Sequence, residues 1–197
     1  MLISTVCPID GTDEFDQEVY PANFDTNDLT PELFSARRRP DRIHYRMVRS
    51  RKSGCLRANP ILDPKTVCRL YAQSHVTYDE ITPFVVATYL RYADRVAQLL
   101  PDRRGFLEIG CGSGQFLARM KSWGFSKLSG VELSKEAIDA ARAELRGCIY
   151  NGSIDAFEID PDSYSLVAGF QVLDHVMNPN EMLQKCYVAL CSGGVTY

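Results

Sequence analysis

Between Pro83 and Leu100 the apolar residues fall at helical intervals. Val86, Leu90, Ala93, Ala97 and Leu100 follow steps of four and three along one face. Val85, Tyr89, Tyr92, Val96 and Leu99 widen that face, so the spacing predicts a well-buried helix. Pro101-Asp-Arg-Arg-Gly105 breaks it. Beyond Gly105 short apolar runs alternate with helical patterns. Strands are predicted at Phe106–Ile109, Leu128–Leu133, Cys148–Tyr150 and Ser165–Val172. Helices are predicted with Phe116, Leu117, Met120 and Trp123 inward, then with Ala137, Ile138, Ala141 and Leu145 inward behind a Ser134 cap. A last helix, capped by Asn178 or Asn180, turns Leu183, Cys186, Tyr187 and Leu190 inward and ends at Ser192-Gly193-Gly194. Strands and helices alternating at these lengths predict a doubly wound, mostly parallel sheet in an α/β fold.

The N-terminal third reads differently. Residues 1–62 carry Pro8, Pro21, Pro31, Pro40 and Pro60 and little periodicity, with one short strand expected at Ile43–Val48. The expected division is a small irregular module over 1–62, a helical connector over 63–104 and the α/β domain over 105–197.

Composition narrows the class. With 197 residues, 45% hydrophobic and 24% charged, the chain has the make-up of a globular protein and not of a disordered or collagen-like one. A net charge of −3 gives no general nucleic-acid binder. No apolar run reaches the roughly 20 residues that span a bilayer, and Met1–Pro8 lacks the features of a secretory signal. Seven scattered cysteines argue against a disulfide framework and fit reduced thiols in a cytoplasm. Charge is segregated. Asp10, Asp13, Glu14, Asp16, Glu18, Asp25, Asp28 and Glu32 precede a run of Arg37, Arg38, Arg39, Arg42, Arg46, Arg49, Arg51, Lys52 and Arg57. The basic run either binds phosphate or pairs with the acidic segment, and the second is the commoner outcome.

The densest chemical signal is Glu108-Ile-Gly110-Cys-Gly112-Ser-Gly114-Gln115, where a strand meets three alternating glycines and then a helix. Glycine tolerates positive φ and lets a ligand approach the backbone. The helix start offers free N–H groups and a partial positive charge, which suits a carboxylate-bearing ligand. The dinucleotide fingerprint wants Gly or Ala where Gln115 stands, which disfavours a nicotinamide-dependent oxidoreductase. Glu132 ends the second strand, where a doubly wound sheet sets an acid beside the loop to accept both hydroxyls of a ribose.

Glu108–Gly114 followed by Glu132 resembles the class I S-adenosylmethionine-dependent methyltransferases. So do Leu166–Val176 and the turn Leu190-Cys-Ser-Gly-Gly194, and the resemblance covers about residues 80–197. It implies a Rossmann-like fold, S-adenosyl-L-methionine as cofactor and methyl transfer to a small-molecule acceptor, with a sugar or nucleotide-linked sugar permitted by the basic run. It further implies that Glu108, Gly110, Cys111, Gly112 and Gly114 approach the methionyl part. Glu132 would hold the ribose diol, Leu133 the adenine face and Asp155 the adenine amino group, with Phe170 and Gln171 near the sulfonium. His175, just past the fourth strand, is a candidate base or substrate contact, or a structural histidine; His44 and His75 are weaker candidates.

The N-terminal segment is similar to a zinc-binding stretch that precedes the catalytic domain in some bacterial methyltransferases acting on sugars or other small molecules. Cys7-Pro-Ile-Asp-Gly11, Val48–Gly54, Asn59-Pro60 and Leu70-Tyr71 carry that similarity. The ligand positions read Cys7, Asp10, Ser50 and Ser53, a poor set for zinc, so the expectation is a degenerate module without metal, held by packing and charge pairing. At the other end, the sequence stops about where a fifth strand would begin. That predicts a C-terminally incomplete, truncated sheet with a bare edge on the fourth strand, prone to self-association. The alternative function is a non-catalytic, cofactor-binding or regulatory remnant.

Overall fold

A computed structural model describes residues 1–25, 29–34, 43–73 and 82–197. Arg37, Arg38, Arg39, Arg42, Asp28 and His75 lie outside the described residues. The chain divides into two compact units, Met1–Thr77 and Tyr78–Tyr197. The helix over 64–72 falls in the first and that over 82–97 in the second.

The N-terminal unit is more regular than its sequence suggests. It holds β1 (Leu2–Ile3), β2 (Asp16–Tyr20), α1 (Pro31–Phe34), β3 (Met47–Ser50), β4 (Leu56–Ala58), β5 (Ile61–Leu62) and α2 (Pro64–Ala72). β2, β3 and β4 form an antiparallel sheet, and β1 pairs with β5. The strand expected at Ile43–Val48 starts at Met47 instead and runs to Ser50, because its register is set by pairing with both β2 and β4. Arg57 lies 2.7 Å from both oxygens of Asp16, with each side chain 10% exposed, and also donates to the Thr5 carbonyl at 3.0 Å. Arg46 pairs with Glu18 at 2.6 Å. Two arginines of the basic run thus meet acids of the preceding acidic segment. Asp63 caps α2, accepting from the Thr66 N–H at 3.1 Å.

The second unit starts with α3 (Thr82–Ala97). It continues through β6 (Gly105–Ile109), α4 (Gln115–Ser122), β7 (Lys127–Glu132), α5 (Lys135–Asp139) and α6 (Ala143–Arg146). β8 (Ile149–Asn151), β9 (Tyr164–Ala168), α7 (Pro179–Ala189) and β10 (Leu190–Thr196) complete it. The sheet order is β10-β9-β6-β7-β8 and all neighbours run parallel. Every residue of β6 and β9 is buried, as expected for central strands covered on both faces. Phe106 packs on one face with Val86, Ala93, Phe116, Leu117 and Met120. Leu107 and Ile109 pack on the other with Met182, Cys186 and Ala189 of α7.

Five expectations are corrected. The bare edge on the fourth strand is covered, because residues 190–196 form β10 and pair with β9. The sheet has its fifth strand, and the ground for association through that edge is gone. The pairing shifts register between Leu190 and Val195, and Gly193 at φ 76° accommodates the irregularity, so Ser192-Gly193-Gly194 is a bend within a strand. On α7 the inward residues are Met182, Cys186 and Ala189, while Leu183 and Tyr187 are exposed. Among its described side chains, the helix over 82–97 buries only Val86 and Ala93 deeply and leaves Tyr92 exposed. The run Ser165–Val172 is strand only to Ala168, since Gln171 turns the chain at φ 53°. Among the described residues no helix is long and apolar enough to cross a membrane, and the seven cysteines are free.

Candidate functional site

Strand order reverses on either side of β6, whose neighbours are β7 and β9. Ligands in open α/β sheets bind beyond the carboxyl ends of the strands at such a switch point. The glycine loop follows β6, Glu132 ends β7, and Phe170, Gln171 and His175 follow β9.

Gly110, Gly112 and Gly114 have φ of 70°, 54° and 69°, a left-handed conformation that side chains disfavour. At Gly110 a Cβ would also meet the Val172 side chain at 2.6 Å. The loop is anchored by N–H donation from Gly110 and Cys111 to the Val131 carbonyl, at 2.8 and 3.2 Å. Gly114 then precedes α4, with no side chain capping the helix start.

Glu132 is held by the backbone around it. Its Oε2 accepts from the Gly112 N–H at 2.8 Å and its Oε1 from the Ser134 N–H at 2.8 Å. A carboxylate has about four lone-pair positions, so two remain for a diol. Asn151, which the sequence reading passed over, donates from Nδ2 to the carbonyls of Glu132 and Leu133 at 3.1 Å each. The Gly152 N–H donates to the Glu132 carbonyl at 2.9 Å. The carboxyl end of β7 is therefore fixed from both sides.

Glu108 is buried, at 5% exposure, and its Oε2 has no hydrogen-bond partner. Burial pushes its carboxyl well above the usual carboxylate range; a bond from the Leu117 backbone opposes the shift and the charge of Glu132 adds to it. Burial also pushes the Cys111 thiol up. Cys111 fits because residue 130 is glycine: a Cβ there would stand 2.6 Å from the sulfur.

The remaining sites are placed as follows. Leu133 is half-buried. The Asp155 side chain is exposed, and its turn is pinned by Lys185 Nζ, which donates to the carbonyls of Ile154, Asp155 and Phe157 at 2.9, 2.5 and 3.3 Å. Phe170 stacks on Tyr89 with ring centroids 3.8 Å apart and meets Phe116 edge-on at 5.0 Å. Gln171 is exposed. His175 is 56% exposed, with Nε2 3.6 Å from Asp174 Oδ2. His44 lies in the N-terminal unit, its Nδ1 2.9 Å from the Tyr45 carbonyl. Tyr89 and Val172, which shape the loops after β9 and β6, carried no signal beyond ordinary apolar patterning.

Three features fit S-adenosylmethionine: a glycine cradle whose left-handed backbone disfavours side chains, a pre-set carboxylate with free acceptor positions, and an unpartnered buried carboxyl oxygen at the strand end.

Comparison with known proteins agrees. Residues 107–197 match the family described as a methyltransferase domain. Over 147 residues the chain is 25% identical to the ubiquinone biosynthesis O-methyltransferase of Shewanella halifaxensis, covering 69% of this chain and 61% of that protein. It is 29% identical over 111 residues to the EEF1A lysine methyltransferase 2 of Danio rerio, covering 43% and 48%. A solved structure from Methanococcus maripaludis, named as an S-adenosyl-L-methionine-dependent methyltransferase, superposes with a TM-score of 0.50 at 22% identity, covering 60% of this chain and 58% of that one. The chain thus spans about half to three fifths of the length of these curated relatives. Residues 107–197 are thus similar to a methyltransferase domain, the five-stranded parallel sheet has the Rossmann-like fold of the solved structure, and S-adenosylmethionine is the cofactor this similarity implies.

Proposed function

We propose that this chain binds S-adenosylmethionine in the crevice beyond β6 and β7 and transfers its methyl group to a small-molecule acceptor. The observation that carries this reading is Glu132, held by the N–H groups of Gly112 and Ser134 beside three left-handed glycines at the switch point. The cofactor, when bound, supplies an activated sulfonium methyl. The chain's own residues then position, exclude water and remove a proton where the acceptor needs it. Glu132 takes the ribose hydroxyls, and hydrogen bonds to a charged acceptor contribute roughly 1.5–3 kcal/mol. The alternating glycines admit the methionyl part, with Glu108 and Cys111 behind the loop. Leu133 and Asp155 flank the adenine, and Phe170 and Gln171 lie toward the sulfonium. His175 is assigned proton removal from the acceptor, supported by its place after β9 and by the neighbouring Asp174 carboxylate.

The acceptor is proposed by class only. One relative's name points to ubiquinone biosynthesis and another's to a lysine of a protein, so an oxygen or nitrogen nucleophile is favoured, and neither name points to a sugar. Calorimetric titration with S-adenosylmethionine tests the reading, with NADH as control. Saturable binding is expected, weakened at least tenfold by Glu132→Ala and absent for NADH. No binding by the folded chain overturns the assignment. Once an acceptor is found, His175→Ala should lower kcat while leaving cofactor affinity unchanged.

A further inference from the structure

In the N-terminal unit two turns of the same design face each other. The first runs from Cys7 to Thr12 and the second from Ser50 to Cys55. In the first, the Cys7 N–H donates to the Thr12 carbonyl at 3.0 Å and the Gly11 N–H to the Cys7 carbonyl at 2.9 Å. In the second, the Ser50 N–H donates to the Cys55 carbonyl and the Gly54 N–H to the Ser50 carbonyl, both at 2.9 Å. Gly11 and Gly54 have φ of 75° and 77°. Position by position the two turns are copies, and each places two side chains three residues apart, at 7 and 10 and at 50 and 53. That is the spacing of paired ligands in structural zinc sites.

The four side chains converge. Ser50 Oγ donates to Asp10 Oδ2 at 2.5 Å, and Cys7 Sγ lies 3.2 Å from Ser53 Oγ. Cys7 and Ser50 are buried to within 1%. Ser50 Oγ also accepts from the N–H groups of Lys52 and Ser53, at 3.2 Å each. The metal that the sequence similarity implies does not fit this set. Two hydroxyls are poor zinc ligands, and two oxygen donors on one tetrahedral zinc stand roughly 3.3 Å apart, given metal–oxygen distances near 2.0 Å. The 2.5 Å between Ser50 and Asp10 is a hydrogen bond. Among the described residues no group of three or more His, Cys, Asp and Glu is placed to hold a metal ion.

We infer that hydrogen bonds among Cys7, Asp10, Ser50 and Ser53 do here the joining that a metal ion does between paired turns, and that the backbone keeps a four-donor cradle. Exchanging the three oxygen donors for thiols then creates a site for a soft divalent cation. The full-length chain and its triple variant Asp10→Cys/Ser50→Cys/Ser53→Cys are titrated with cobalt(II), followed by absorbance, and then with zinc. Expected for the variant is one cobalt per chain with the spectrum of tetrahedral thiolate ligation, displacement by zinc, and melting that a chelator lowers. Expected for the unaltered chain is no stoichiometric metal and melting that a chelator leaves alone. Ser50→Ala, which removes the hydroxyl that joins the turns, is expected to lower the melting temperature of the unaltered chain by several degrees. Stoichiometric zinc with chelator-sensitive melting in the unaltered chain overturns the inference. So does a triple variant that takes up no cobalt even when refolded with the metal, or a Ser50→Ala chain that melts unchanged.

Discussion

At the scale of single residues the two carboxylates of the site differ because their surroundings differ. Glu132 sits half-buried with two N–H donors, whereas Glu108 is enclosed with one oxygen unpartnered. Burial raises the Glu108 value in the folded chain, so the native state keeps its proton after the unfolded chain has lost it. The sign follows from linkage. The contribution is complete below the ordinary carboxylate value of about 4.3 and falls away as pH rises above it. Glu108→Gln, neutral at every pH, should flatten the decline of melting temperature as pH rises above the ordinary carboxylate range. It should melt no lower than the unaltered chain at the alkaline end. Thermal melts across that range check it, and a variant that loses most at alkaline pH contradicts it. Glu132 was legible because an acid ending a strand beside a glycine loop has a local signature. Asn151 was not, because its two bonds run sideways to carbonyls of another strand, and nothing in its own neighbourhood marks that.

Elements show a similar split. Helix α7 was foreseen with a cap at Asn178 or Asn180, and it is Asn178 whose Oδ1 accepts from the Glu181 N–H at 3.3 Å. Asn178→Ala should cost about 1 kcal/mol, read from chemical denaturation, and Asn178→Asp should retain most of it. The period of α7 was also right, and Cys186 and Leu190 lie on the core side as expected, yet the rest of the stripe is displaced. Leu183 and Tyr187 look like core residues, but Met182, Cys186 and Ala189 form the face that lies on β6 and β9. Periodicity gives a spacing; the neighbouring sheet decides which stripe turns inward. The strands of the N-terminal unit were missed for another reason. β2 reads Asp-Gln-Glu-Val-Tyr and is exposed along nearly its whole length, so no alternation announces it. Pairing with β3 holds it, together with the Asp16–Arg57 pair.

Across the whole C-terminal unit, the decisive long-range fact is that β10 lies against β9. The pairing was hidden because two glycines interrupt the apolar run. Gly194 stands where a Cβ would come within 3.0 Å of the Cys191 carbonyl and the Leu190 side chain, so the bend depends on it. A chain ending at Ala189 leaves β9 with one neighbour, β6. Such a chain should aggregate or sediment as oligomers at concentrations where the 197-residue chain does not. Sedimentation velocity compares the two; equal monomeric behaviour contradicts the role given to β10.

The anchoring of Glu132 has a consequence for turnover under the proposed function. The ribose it receives is the same before and after the methyl group leaves. Glu132 therefore grips the spent cofactor as firmly as the fresh one and contributes nothing to the rate of the transfer itself. Discrimination between the two must come from groups that sense the sulfonium charge. Without such groups the site would hold on to its own product, and release would govern how fast it can work.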